Sequence, residues 1–108
     1  MLRKRSGMGK DIQALTDAMH QFVTEKGWYQ EKSHRPQTPG NIAISLVLEA
    51  SEVLEHFQWQ PQKYEKNELA PELADVALYL LQLAHICEID LESAILKKLE
   101  ENYARQWD

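Results

Sequence analysis

The 108-residue chain is short of several things at once. Cysteine occurs once, at Cys87, so no internal disulfide can form, and a reducing, cytoplasmic setting is expected. No apolar stretch approaches 18 residues, so nothing is expected to span a membrane. The basic tract Arg3-Lys4-Arg5 lacks a following apolar segment, so it is no secretion signal, and residues 1–9 read as a flexible tail. Positive charge is scarce too. Twelve Lys and Arg against 17 Asp and Glu leave a net charge of −5. That argues against a nucleic-acid polymer as partner, which would need a basic face. Strand-type alternation, long repeats and low-complexity tracts are also missing.

What remains is one helical domain over residues 10–108. A chain this short buries only about two-thirds of its unfolded surface. Its core is modest, and oligomerisation would help it.

Four helices can be read from the periodicity. The first runs from about Lys10 to Lys26, with Ile12, Leu15, Met19, Phe22 and Val23 at helical spacing and Gly27 placed to end it. A polar loop over residues 29–40, containing Pro36 and Pro39, is long enough to suspect a lid. Thr38-Pro39 reads as an N-cap with proline at the first helical position, opening a helix to about Phe57. Its main apolar arc is Ile42, Ala43, Leu46, Val47, Ala50, Val53, Leu54 and Phe57. Ser45, Glu49, Glu52 and His56 form a polar stripe, and Ile44 and Leu48 lie beyond it. Residues 61–69 read as holding a short helical turn, with the third helix opening at Ala70-Pro71 and reaching Cys87. That helix is apolar except for a stripe of Glu72, Asp75, Tyr79 and Gln82. Asp90 is a plausible N-cap for a fourth helix ending near Gln106, with Ile95, Leu96, Leu99 and Tyr103 as its core face. The expected architecture is all-α, a four-helix bundle-like domain.

The chemistry gathers in two acidic pairs, Glu49/Glu52 and Glu72/Asp75. Each pair is spaced i, i+3, so both carboxylates share a helix face. Neither pair has Lys or Arg at i+3 or i+4 to neutralise it. Four carboxylates facing one space repel unless a cation sits between them, and oxygen-only ligands suit Mg²⁺ or Mn²⁺. Acidic residues on a helix are more often simply solvated, and that reading covers either pair alone.

Other residues form looser sets. Lys98, Asn102 and Arg105 make a polar row that either faces the helix dipole or holds phosphate oxygens. Trp28 and Trp59 sit at helix exits in polar surroundings, as indoles that stack on a flat base would. His56 is expected to pair with Glu52, four residues back. His85 and Cys87 read as core or interface.

Together these residues resemble a known family. The pattern E-x-x-E, nineteen residues, then E-x-x-D is similar to that of the MazG-like all-α nucleoside triphosphate pyrophosphohydrolases. Asn41 to Leu46 and Leu54 to Trp59 look like the family's helix around its first acidic motif. Glu72 to Tyr79 looks like the second motif with its following tyrosine. Ile89 to Leu96 resembles the entry to the last helix, which closes on the family's K-x-x-x-N-x-x-R ending at Lys98, Asn102 and Arg105. Within that family the chain most resembles the small dCTP pyrophosphatase-like branch. Two departures touch the base pocket: a longer segment between Trp28 and Asn41, and no clean match for a pocket histidine, His20 being one position off.

The resemblance implies hydrolysis of a (deoxy)nucleoside triphosphate to the monophosphate and pyrophosphate, in the service of nucleotide-pool cleaning. It implies Mg²⁺ held by Glu49, Glu52, Glu72 and Asp75, with Mn²⁺ as a possible substitute. Trp28, Trp59 and Tyr79 would contact the nucleoside, and Lys98, Asn102 and Arg105 the phosphates. It also implies a homodimer or a tetramer, in keeping with the second apolar patch at Ile44 and Leu48. Two rivals stand beside it. A ferritin-like di-iron bundle needs Glu-x-x-His motifs that neither acidic pair supplies. A non-catalytic helical oligomerisation or adaptor module needs only the apolar patch.

Overall fold

The computed structural model describes residues 11–61 and 63–106. The expected tail at 1–9, and Lys10 at the expected start of the first helix, lie outside them. Among the described residues there are four helices and no strand: α1 (Ile12–Glu25), α2 (Pro39–Glu55), α3 (Lys66–Ile86) and α4 (Leu91–Ala104).

Capping sets where each helix starts. Asp11 accepts a hydrogen bond from Ala14 N at 2.8 Å and opens α1. Thr38 accepts from Asn41 N at 3.1 Å, ahead of Pro39 at the first position of α2, as expected. The Asn41 side chain also donates to the Pro36 carbonyl at 2.9 Å, tying the loop to the helix it feeds. Asp90 accepts from Ser93 N at 3.1 Å and opens α4.

Two helices end on the same device. After α1, Gly27 N donates to the Thr24 carbonyl and Trp28 N to the Val23 carbonyl, with Gly27 at φ 74°. This is a Schellman turn, and glycine carries its left-handed residue without a Cβ penalty. It brings Trp28 back against the core made by Met19, Val23 and Leu81. After α3 the same bonds recur, Glu88 N to the His85 carbonyl and Ile89 N to the Ala84 carbonyl. There the left-handed residue is Glu88, at φ 56°.

The start of α3 differs from expectation. The helix begins at Lys66, so the short turn expected within 61–69 is continuous with it and Pro71 lies inside. Inside a helix proline removes the bond to the carbonyl four residues back, and its ring crowds that carbonyl. Here that carbonyl belongs to Asn67, in the exposed first turn, where water can satisfy it. The helix runs through Pro71 all the same.

α3 is the helix on which both α1 and α2 pack. By length and composition alone it would also qualify to cross a membrane, with a mean hydropathy of 1.2 over an 18-residue window. That differs from the expectation that no stretch is apolar enough. Its polar stripe carries Glu72 and Asp75 of the acidic cluster and, at Gln82, meets the loop, as described below.

The buried core of the single chain is small. Met19, Val23, Ile42, Leu81 and Ala84 are its buried apolar residues, with Ile12, Trp28, Tyr29 and Leu91 packed against the Met19 cluster. Two expected core faces are instead open in the single chain. Ile95, Leu96, Leu99 and Tyr103 of α4 are all exposed, because among the described residues of that helix only Leu91 at its base packs on the core. Val47 and Leu54, assigned to the main arc of α2, are also exposed. Cys87, expected to be core or interface, is exposed as well.

Candidate functional site

The i, i+3 pairs on α2 and α3 do converge. Glu49 from α2 and Glu72 and Asp75 from α3 each offer a carboxylate oxygen, and the three oxygens lie within 4.8 Å of one another. Glu52 stands beside this trio. Its carboxylate is close enough for its charge to raise the pKa of both Glu49 and Glu72. Two helices thus bring four carboxylates to one place.

Crowding shows in their protonation. Burial, and then the Glu52 charge, push the Glu49 carboxyl above the ordinary carboxylate value, with smaller contributions from Asp75 and Glu72. Partial burial and the same Glu52 charge raise Glu72, against a lowering pull from His56. His56 Nε2 lies 3.9 Å from Glu72 Oε1, so its partner is on the neighbouring helix rather than Glu52 on its own. One turn of α2 separates His56 from Glu52, but the α2–α3 packing brings Glu72 nearer.

The donor set fits a hard divalent cation. Glu49 Oε2 is buried with no hydrogen-bond partner, an arrangement that costs free energy unless something positive meets it. Oxygen ligands about 2.1 Å from Mg²⁺ stand at most about 4.2 Å apart, so a trio within 4.8 Å needs little adjustment.

The cluster opens onto a cavity of about 400 Å³. Glu49 and Asp75 form its acidic end, Leu15, Met19, Phe22, Val23 and Leu78 line it with apolar surface, and Trp28, Tyr79 and Gln82 complete it. Trp28 is held on several sides. Phe22 meets it edge-on at 5.6 Å between centroids, and the Arg35 guanidinium lies 5.3 Å from its ring. Beyond Trp28 and Tyr79 is a second cavity of about 350 Å³, lined by loop residues His34, Arg35, Pro36 and Gln37 with Asn41 and Ser45 of α2.

The remaining sequence candidates are placed differently. Tyr79 borders both cavities. Trp59 is 85% exposed beyond the end of α2. Lys98 is exposed and pairs with Glu101 at 3.7 Å. Asn102 lies in the last turn of α4, and Arg105 is that helix's C-cap. The acidic cavity takes no residue from α4. His20 stacks against His85 and Tyr29, with ring centroids 4.4 and 5.3 Å away.

Several site residues carried little sequence signal. Phe22 looked like one more core position of α1. Arg35 and Gln37 are ordinary loop residues until the loop folds back over Trp28 and α3. Gln82 stood in the α3 stripe, but its partners lie 45 and 53 residues away.

Comparison with known proteins identifies a family and relatives. The MazG-like family model matches residues 44–107. The chain is 37% identical over 94 residues to dCTP pyrophosphatase 1 of Homo sapiens, an overlap of 79% of this chain and 52% of that protein. Against dCTP pyrophosphatase 1 of Bos taurus the identity is 35% over 94 residues, covering 79% of this chain and 53% of that protein. The chain therefore spans about half the length of the curated relatives it matches.

Proposed function

The chain belongs to the MazG-like family, and from that premise we propose that it hydrolyses a deoxynucleoside triphosphate to the monophosphate and pyrophosphate. The observation that carries this reading is the meeting of Glu49, Glu52, Glu72 and Asp75, with an orphaned Glu49 oxygen, at the mouth of an apolar cavity bearing Trp28. A triphosphate is an anion and a base is a flat apolar plate. A site with a cation-binding end and an aromatic end suits both.

In this reading Glu49, Glu52, Glu72 and Asp75 would hold Mg²⁺, which when bound would supply neutralisation of the phosphate charge. The chain's own residues do the rest. Trp28, Phe22 and Tyr79 enclose the nucleoside and exclude water from it. A carboxylate of the cluster, or Glu55 one turn on from Glu52, accepts the proton of the attacking water. Lys98, Asn102, Arg105 and Trp59 belong to the proposed substrate set by resemblance, and they would need a neighbouring subunit or a movement of α4 to join the acidic cavity. The cellular task is removal of unwanted nucleotides in the cytoplasm.

We also propose that the active form is a homodimer or tetramer. Ile44, Val47, Leu48 and Leu54 on α2, and Leu96 and Leu99 on α4, are exposed apolar residues of the kind that self-association buries. An adaptor module would share that surface but not the acidic cavity. A panel of NTPs and dNTPs with Mg²⁺, read out as pyrophosphate, tests the enzyme reading. Absence of metal-dependent pyrophosphate release from every nucleotide would overturn it.

A further inference from the structure

The acidic cavity contains one neutral amide, Gln82, and the fold determines which way it points. Gln82 is 3% exposed. Its Nε2 donates to Gln37 Oε1 at 2.6 Å and to the Tyr29 hydroxyl at 3.4 Å, which uses both of its N–H groups. The orientation of Gln37 is set in turn, because its own Nε2 donates to the Arg35 carbonyl at 2.6 Å. With that nitrogen engaged, Gln37 turns its oxygen to Gln82, and Gln82 must answer with its nitrogen. The amide of Gln82 is thus kept from flipping, and what it offers the cavity is its oxygen, an acceptor.

Position along α3 gives this acceptor a meaning. Asp75, Tyr79 and Gln82 follow at i, i+4 and i+7, so they lie on one face. The rise from Asp75 to Gln82 is about 10 Å. That is comparable to the reach of a nucleotide from its phosphates to the outer edge of its base. Phosphates at the acidic end therefore put the base edge near Gln82, past Trp28 and Tyr79.

We propose that Gln82 reads the base, its Oε1 accepting a hydrogen bond from the exocyclic amino group of cytosine or adenine, and that Gln37 is the positioning residue that holds it in that orientation. This deepens the nucleotide reading of the site and rests on it. A keto group in the same place sets oxygen against oxygen and leaves a buried acceptor unpaired. The substrate class is accordingly the amino-bearing nucleotides.

The test compares dCTP with dUTP and dATP with dITP, pairs that differ by amino against keto at one position. Wild type should favour the amino member of each pair in kcat/KM by about ten- to hundredfold. Gln82→Met, of similar volume but with no acceptor oxygen of this kind, should bring both ratios close to one. Gln37→Met, which frees the Gln82 amide to flip, should lower the ratios. Gln37→Glu, which keeps an acceptor for Gln82 Nε2, should restore them. A merely structural role for Gln82 or Gln37 would alter stability or both members of a pair alike. Calorimetric binding of dCMP and dUMP to the same variants supplies a readout independent of turnover. If no triphosphate is hydrolysed yet dCMP binds better than dUMP in a Gln82-dependent way, the enzyme reading fails and the base-reading role stands. Equal ratios in wild type and Gln82→Met, a wild-type preference for the keto member, or no binding of either monophosphate would overturn it. Should Gln82→Met fail to fold, the two Gln37 variants decide.

Discussion

The Arg35 guanidinium lies 5.3 Å from the ring of Trp28, so the loop before α2 covers the indole that α1's terminal turn delivers to the cavity. An exposed cation–π contact contributes about 0.5–1 kcal/mol. Arg35→Ala should therefore raise KM by no more than about fivefold, through a looser Trp28. Trp28→Ala removes the aromatic surface itself. Stacking losses of about 1–3 kcal/mol predict a KM roughly ten- to hundredfold higher. Steady-state kinetics on both variants checks the order. An Arg35→Ala effect larger than that of Trp28→Ala would mean that Arg35 itself binds substrate.

Glu52→Gln and Asp75→Asn should each abolish turnover while leaving helical circular dichroism unchanged, since each swap is nearly isosteric. Asp75 is one of the three clustered ligands, and Glu52 is the charge that raises two of them. Full activity in both variants would remove the acidic cluster from the chemistry.

Metal binding should carry a definite pH dependence. Glu49 and Glu72 both stand above the carboxylate reference of 4.5, so the folded protein holds their protons more tightly than the unfolded chain does. In the metal-free protein the stability from this effect is fully present below about pH 4.5 and is lost as pH rises through the raised folded values. Mg²⁺ must displace the same protons. Its stabilising shift in Tm should be larger near pH 7.5 than near pH 5.5, and proton release should be visible by calorimetry in buffers of different ionisation enthalpy. A Tm shift that does not change with pH would count against these carboxylates as ligands.

Leu48→Glu should dissociate the assembly and lower activity, although Leu48 is not a ligand. Its side chain is 58% exposed on α2, with Ile44 nearby at 59%. Light scattering after size exclusion gives the mass directly. A fully active wild-type monomer at micromolar concentration would refute the oligomeric reading.

The two Schellman turns make opposite predictions. Glu88, at φ 56°, bears a conformational penalty that glycine avoids, so Glu88→Gly should stabilise the fold by up to about 1 kcal/mol. Gly27→Ala should destabilise it by about 1–2 kcal/mol. The new Cβ would meet nothing closer than the Gln30 side chain at 3.8 Å, so the cost is one of backbone conformation rather than crowding. Because Trp28 follows directly, KM should rise as well. Urea unfolding of both variants measures the pair.

Local chemistry was legible before the fold. Thr38 and Asp90 read as caps because a side-chain oxygen beside a helical run has few other uses, and both accept the expected N–H. The acidic pairs stood out because neither has a Lys or Arg three or four residues on to neutralise it, and the fold brings them together. Pro71 misled, since a proline near a helix start looks like the start itself when the lost bond falls in an exposed turn. The α4 face misled for another reason. Periodicity says that Ile95, Leu96 and Leu99 want cover, but not that the cover comes from within the same chain. The contact of Gln82 with Gln37 had no local signal at all, because it joins a loop to a helix 45 residues on.

The unbroken helical run of α3 from Glu72 to Gln82 makes insertions and substitutions very different events. Adding one residue between Asp75 and Gln82 would swing everything beyond it through 100° and lengthen the rod by about 1.5 Å. The amide would leave the cavity and Leu81 would leave the core together, so a single codon gained there undoes recognition and folding in one stroke. Point changes at Gln82, by contrast, leave the acidic end in register. The path open to a lineage that changes its preferred nucleotide therefore runs through exchange of side chains along α3, with changes of length confined to the loop.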